Sequence, residues 1–349
     1  RDQRYTLTFN GEIYNYLELR QQLVSQSIQL ETYSDTEVLL HMYIQYGKEM
    51  LNHLNGMFAF AIYDNLTDEL FVARDHFGVK PFYFYSDNDF FAFASEIKAL
   101  LRHPNIGASV DDHSIHEYLT FQFVLHDKTL FQGIEKLEPA TYMIIKNGQI
   151  KEKKCYWEPN YEINESRTED QFADELLVLL ESSLSIQTRS DVPIGAYLSG
   201  GLDSSIVATL ASKNYFGSFK TFTGGFKENI RYDETRYARI LSDSIGSEHF
   251  EIYPTVDDFI DVFEDLVYHM DEPSAGPGLF PQYMVSKMAS EHVKVVLGGQ
   301  GGDEVFGGYT RYAVAYLEQC LKGAIFETQE EGKHVVTLAS IIPNMNQLK

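Results

Sequence analysis

The stretch Val192–Ser205, VPIGAYLSGGLDSS, decides the fold of the second half of the chain. An apolar run from Val192 to Leu198 has the length of a buried strand, and it breaks into Ser199, Gly200 and Gly201 before a helical pattern, Ser204 to Ser212. Adjacent glycines let backbone approach a ligand closely, the helix N-terminus offers unpaired N–H groups to an anion, and Ser199, Ser204 and Ser205 add hydroxyls. No Lys follows the glycines, so this is not the P-loop, and the spacing does not fit a dinucleotide fingerprint. Asp203 would be repelled by phosphate unless a Mg²⁺ lay between them, which marks it as a metal ligand. A plain glycine turn with a serine cap is the alternative for this stretch alone.

A second glycine-rich turn shifts the balance. Val293 to Leu297 is a β-branched strand candidate that runs into Gly298–Tyr309, GGQGGDEVFGGY. In an open parallel sheet ligands sit beyond the carboxyl ends of the strands, so two such turns can converge on one nucleotide. Around them the pattern alternates strand and helix. Thr168 with Gln171 signals a capping box, Phe172, Leu176, Leu180 and Leu184 share one helical face, and Asp233–Ser244, Val256–His269 and Pro281–Glu291 read as further helices. The reading is an α/β unit, a parallel sheet with both faces covered.

Upstream, the polar stretch Tyr161 to Arg167 suits a linker, giving expected domains of 1–160 and 168–349. The first domain is β-rich. Phe58, Phe60 and Ile62 alternate before a turn at Asp64, Asn65 and Thr67 and a return strand Leu70 to Arg74. Pro81–Tyr85 pairs with Phe90–Ala94 in the same way, and Asn147-Gly148 joins Thr141–Ile145 to Ile150–Tyr156. Helical patterns at Asn15–Ser25 and Thr36–Gly47 make this an α+β unit.

The chain has 349 residues, enough for two cores, with 28 Lys or Arg against 51 Asp or Glu, a net charge of −23. That excess, with 44% apolar residues, argues against disorder and against nucleic-acid binding by general electrostatic attraction. Cys155 and Cys320 form no CxxC pair, and the run starting Arg1, Asp2, Gln3, Arg4 has no signal-peptide core, so a reducing, cytoplasmic setting with no membrane span is expected. The start at Arg1 within a strand-like run and the polar end Asn344–Lys349 both read as cut termini.

SGGLDSS at 199–205 with GGQGGDEVFGGY at 298–309 resembles the ATP-pyrophosphatase domain of glutamine-dependent asparagine synthetases. NGEIYNY at 10–16, SDTE at 34–37 and ARDHFGVKPFY at 73–83 resemble the glutaminase domain of the same enzymes. The resemblance covers nearly the whole chain in the family's domain order. It implies a four-layer αββα Ntn-hydrolase-type glutaminase followed by a parallel-sheet, adenine nucleotide α-hydrolase-like (PP-loop) domain. It further implies ATP-dependent amidation of aspartate through a β-aspartyl-AMP intermediate, with ammonia drawn from glutamine through an internal tunnel.

By the same resemblance Asn10 (side chain) and Gly11 (N–H) form the oxyanion pair, and Glu12 and Asp35 hold the α-amino end of glutamine. NGE read without the family is an ordinary turn. In the other domain Ser199, Gly200, Gly201, Ser204 and Ser205 would hold pyrophosphate, Asp203 and Asp303 would ligate Mg²⁺, and Tyr197, Leu198, Gly224, Gly298 and Gly299 would line the nucleotide. The family's N-terminal cysteine nucleophile is not matched by Cys155 or Cys320, so the sequence as it stands is expected to bind glutamine weakly and hydrolyse none, through truncation or through loss of the site. The arginine that binds the glutamine carboxylate and a lysine that contacts pyrophosphate fall outside it as well.

One departure bears on the acceptor. Asparagine synthetases usually read SGEGADE, and here Gly298 and Gln300 stand at the Ser and Glu positions, Gln300 being the candidate catalytic residue there. A glutamine hydrogen-bonds but takes no proton at neutral pH. The acceptor is therefore aspartate or another carboxylate such as a sugar acid or a peptide-like metabolite, and an inactive nucleotide-binding relative is the reading from another class. Expected partners are glutamine, ATP, the acceptor and a second copy in a homodimer. Asp271-Glu272-Pro273 reads as a helix stop or as a loop over the acceptor, Arg74–Asp75 as a structural ion pair near the domain interface, and the eleven histidines as packing or surface residues.

Overall fold

The computed structural model describes residues 4–162, 164, 166–215, 217–227, 233–274 and 276–326; Glu165, Ala275 and the tail Asn344–Lys349 lie outside them. By Cα proximity the chain divides into two compact units, Arg1–Leu179 with Thr255–Phe280, and Leu180–Pro254 with Pro281–Lys349.

The first unit contains strands β1 (Tyr5–Ile13), β2 (Gly56–Asp64), β3 (Glu69–Arg74), β4 (Tyr83–Ser86), β5 (Phe91–Ala94), β6 (Ile134–Lys136), β7 (Thr141–Lys146) and β8 (Gln149–Cys155). Five form an antiparallel sheet in the order β1-β2-β3-β7-β8, and three a smaller sheet, β5-β4-β6. Alternation along β2 decides the layering. Phe58, Phe60 and Ile62 face helices α1 (Tyr16–Ser25) and α2 (Asp35–Tyr46), packing with Leu19, Leu23, Leu39 and Met42. The intervening Ala59 and Ala61 face the small sheet, where their size admits Phe82, Phe84 and Leu137. Behind that sheet the one-turn helix α3 (Ile97–Leu100) seats Ile97 and Leu100 on Ile134. The result is helix, sheet, sheet, helix, the expected four layers. Helix α4 (Asp112–Phe121), which the sequence pattern did not announce, follows.

Helix α5 (Glu169–Gln187) opens with the expected reciprocal cap, Thr168 N–H to Gln171 Oε1 at 3.0 Å and Gln171 N–H to Thr168 Oγ1 at 3.3 Å. Its expected apolar face is used only at the far end: Leu184 is buried, Leu180 packs beside it, and Phe172 is exposed.

The second unit holds β9 (Ile194–Tyr197), α6 (Leu202–Asn214), β10 (Lys220–Gly224), α7 (Thr235–Ile245) and β11 (Glu248–Ile252). Helix α8 (Val256–Met270) belongs to the first unit, and α9 (Leu279–Ser290), β12 (Val295–Leu297), α10 (Gly302–Phe306) and α11 (Thr310–Phe326) complete the chain order. The sheet is parallel in the order β11-β10-β9-β12. Ala196 and Leu198 pack on one face with Ala208, Ala211 and Ala238, whereas Tyr197 and Phe222 pack on the other with Val285 and Ala289, so both faces are covered as expected. Among the described residues no helix is long and apolar enough to cross a membrane.

The start of β1 is locked to the end of β2 by an ion pair. The Arg4 guanidinium meets Asp64 at 2.9 and 2.7 Å and holds its carboxyl down at about 2 against an ordinary 3.8. A depressed carboxylate stabilises the fold above its unfolded value, and the contribution is lost as pH falls through the folded value. Urea midpoints of the parent and Asp64→Asn should therefore differ most above pH 4, the parent being more stable, with the gap closing toward pH 2.

Candidate functional site

Asn10, Gly11 and Glu12 lie in β1, the terminal strand of the five-stranded sheet. Gly11 stands opposite Phe58 in the β1–β2 ladder. Both backbone groups of Phe58 are taken on its other side by Asp75: its N–H donates to Asp75 Oδ2 at 3.1 Å, and its carbonyl accepts from the Asp75 N–H at 2.8 Å. Gly11 and Phe58 thus form a non-hydrogen-bonded pair, which turns the Gly11 N–H away from β2, off the outer edge of the sheet. A methyl group at Gly11 would strike the Met57 carbonyl and lie 2.7 Å from the Phe58 Cα, so only glycine fits. The Asn10 side chain donates through Nδ2 to Ser95 Oγ at 3.2 Å.

Asp35 reaches the same strand, accepting from the Ile13 N–H through Oδ2 at 3.1 Å. The SDTE motif explains its placement. Ser34 caps α2 by accepting from the Thr36 N–H at 3.1 Å, and Glu37 folds back to accept from the N–H groups of Glu31 and Thr32, each at 2.6 Å. The structure therefore brings Asn10, Gly11, Glu12 and Asp35 together. Burial, then the charges of Glu12 and Asp75, pushes the nearby Tyr14 hydroxyl up to about 12.

Asp75 corrects the expected ion pair with Arg74. Adjacent residues leave a strand in opposite directions. Asp75, 1% exposed, accepts N–H bonds from Phe58, Phe77, Val79 and Lys80, while the Arg74 guanidinium donates to the carbonyls of Gly78, Lys80 and Leu137. Both charges are satisfied by backbone, so ARDHFGVKPFY is the buttress under β2 and Gly11. Sequence reasoning missed Asp75 in this role, though the motif was in view, and it missed Ser95, which carries no signal of its own.

In the second unit the two glycine-rich turns meet. A methyl at Gly299 would lie 2.7 Å from the Ser204 nitrogen and 3.0 Å from Asp203 Cβ, and one at Gly302 would touch the Asp203 carboxylate. The Asp203 carboxylate, at the start of α6, thus lies against Gly302 of α10, whereas the carboxylate of the next residue, Asp303, folds over Gly308. The first turn needs Gly200, whose φ is +87° and where a side chain would meet Tyr237 Cβ at 2.8 Å and the Glu234 carbonyl at 2.9 Å.

Hydroxyls hold the first turn in shape. Ser199 Oγ lies 2.9 Å from Ser204 Oγ and accepts from the Gly201 N–H at 3.2 Å, and Ser205 donates to the Gly201 carbonyl at 2.6 Å. Gly201 caps α6 with no side chain, which leaves the helix N-terminus to an anion. Glu304, not singled out from sequence, fixes the second turn by accepting from the Gly301 N–H at 3.0 Å and the Tyr309 hydroxyl at 2.9 Å.

Of the expected adenosine contacts, Tyr197 bonds Ser286 Oγ at 2.7 Å, and Gly224 lies against Val285. Leu198 is fully buried, its N–H given to the Phe222 carbonyl at 2.9 Å and its carbonyl accepting from Thr223 Oγ1. It therefore acts as core beneath the turn. The Gln300 carboxamide oxygen folds back over Gly298, occupying the place of a side chain at 298.

These donors fit a triphosphate carrying Mg²⁺. Among the described residues no three His, Cys, Asp or Glu side chains gather to hold an ion alone. A carboxylate at an anion-ready helix end, with a second on the adjoining turn, suits a hard cation that takes its remaining oxygens from phosphate and water.

Residues 1–157 match the family model described as glutamine amidotransferase domain, and residues 175–340 match the one described as asparagine synthase. Asparagine synthetase [glutamine-hydrolyzing] 1 of Bacillus subtilis is 38% identical over 311 residues, 89% of this chain and 49% of that protein. Putative asparagine synthetase [glutamine-hydrolyzing] 2 of Methanocaldococcus jannaschii is 37% identical over 315 residues, 89% of this chain and 60% of that protein. Asparagine synthetase B [glutamine-hydrolyzing] of Escherichia coli is 31% identical over 324 residues, covering 87% and 52%. The chain spans about half the length of the curated relatives it matches.

Gly11→Ala should lower the unfolding free energy by about 1–3 kcal/mol, as overpacking does. Gly107→Ala, whose methyl would meet only Ser109 Oγ at 4.0 Å, should change it by less than about 0.5 kcal/mol. Urea titration of both variants checks this.

Proposed function

We propose that the protein is a glutamine-dependent asparagine synthetase, because residues 1–157 match the glutamine amidotransferase domain model and residues 175–340 the asparagine synthase model. Glutaminase chemistry is assigned to residues 1–160 and synthetase chemistry to 168–349. The observation that carries the synthetase assignment is the meeting of the two glycine-rich strand-end turns at Gly299 and Asp203. The proposed ligands are glutamine, ATP with Mg²⁺, and aspartate, acted on in the cytoplasm by a homodimer.

In the glutaminase step attack on the side-chain amide places negative charge on its oxygen. Asn10 Nδ2 and the outward Gly11 N–H are the donors proposed to receive it, with Glu12 and Asp35 on the α-ammonium group. In the synthetase step an acceptor carboxylate oxygen bonds the α-phosphorus of ATP and pyrophosphate leaves; ammonia then attacks the acyl carbon, loses a proton and releases AMP. Ser199, Gly201, Ser204 and Ser205 are assigned to the pyrophosphate, and Asp203 and Asp303 to the Mg²⁺. The ion supplies charge neutralisation on the phosphates.

Gln300 favours a second reading, an acceptor other than aspartate, because its amide takes no proton from attacking ammonia. Pyrophosphate release by the full-length protein separates the two: release that requires aspartate supports asparagine synthesis, and release only with another acid supports the second. Asp203→Asn should reduce that release at least a hundredfold at saturating acceptor while glutamine hydrolysis stays within twofold. Undiminished release would remove Asp203 from the metal site.

A further inference from the structure

A carboxamide carries two N–H donors on one end and an acceptor oxygen on the other, so half a turn about its bond replaces an oxyanion donor with a repelling oxygen. Asn10 can serve only if something fixes its orientation. The Nδ2 group donates to Ser95 Oγ at 3.2 Å, which commits one amide hydrogen and leaves the second for a ligand.

Ser95 follows β5 directly and stands two residues before α3. That helix has four residues and no side-chain cap from its own N-cap residue, too little to hold itself. It is held from a distance. The N–H groups of Ile97 and Lys98 donate to the Asp271 carboxylate at 2.7 and 3.3 Å, and Lys98 Nζ lies 3.0 Å from Asp271 Oδ1 and 2.8 Å from Glu96. Asp271 ends α8 at φ +57°, and the next residue, Glu272, accepts from the Leu130 N–H at 2.6 Å. These acidic residues lie within the stretch that matches the asparagine synthase model, yet in the same compact unit as Ser95.

We propose that Ser95 is a positioning residue for glutamine hydrolysis, that it acts through the Asn10 carboxamide, and that Asp271 anchors it there. Asp271, at the end of α8, then sets the competence of the oxyanion site. The inference rests on the glutaminase reading of Asn10.

The test is steady-state glutamine hydrolysis by the full-length protein, read as glutamate release, beside amide formation from added ammonia. A parent that releases no glutamate removes the glutaminase reading and this inference with it. With an active parent, Ser95→Ala should lower kcat for glutamine about tenfold, less than the roughly hundredfold or more lost with a whole oxyanion donor. KM should stay within twofold, and ammonia-dependent synthesis should stay at the parent level. Ser95→Thr, which keeps the hydroxyl, should recover most of kcat. Asp271→Ala should lower kcat for glutamine in the same sense, and the double variant should be no slower than Ser95→Ala, because both act along one path. A kcat within twofold of the parent in Ser95→Ala, an equal loss of both activities in that variant, or multiplicative effects in the double variant would overturn the proposal.

Discussion

Backbone approaching backbone with no room for a Cβ is the constraint on which both candidate sites depend. At Gly11 the β1 strand lies so close to Met57 and Phe58 that a methyl group cannot enter. At Gly299 the turn after β12 lies equally close to the amide of Ser204. In each place glycine lets the chains approach beside backbone N–H groups that can face an anion, the outward Gly11 N–H and those at the start of α6.

Each approach is held by carboxylates bonded to backbone. Asp75 gathers four N–H groups under β2, and Glu304 ties the turn at Gly301. Glu37 closes the loop before α2, and Asp271 caps α3. A buried or half-buried carboxylate needs several donors, and irregular backbone next to a strand end has donors to give. The acidic excess of the chain is therefore used in part as internal scaffolding for its loops.

The hairpins, most helices and the two glycine turns were legible in the sequence because they follow from local periodicity and turn chemistry. Some elements without it escaped, and so did β10, β11 and α11. Helix α3 is one turn long, and α4 leaves Leu119 and Phe121 exposed. The apolar stripe of α5 promised a buried face that only Leu184 and Leu180 use, since the stripe states what a helix could bury and nothing about what is present to cover it.

By itself the sequence determined the strand-turn-helix identity of most motifs, through paired glycines after an apolar run, a serine cap before SDTE's acids, and alternating Phe and Ala in β2, but it read NGE as a turn where the structure has the middle of β1. The tertiary structure alone decided which of these meet. It sent Arg74 and Asp75 to different backbones, buried the side chain of Leu198, expected to line the nucleotide, beneath the turn, set Gln300 over Gly298, and joined Asp271 to a helix more than a hundred residues earlier. The contact of Asp271 with α3 and that of Arg74 with Leu137 are long in sequence, and no local pattern encodes the partner of a hydrogen bond.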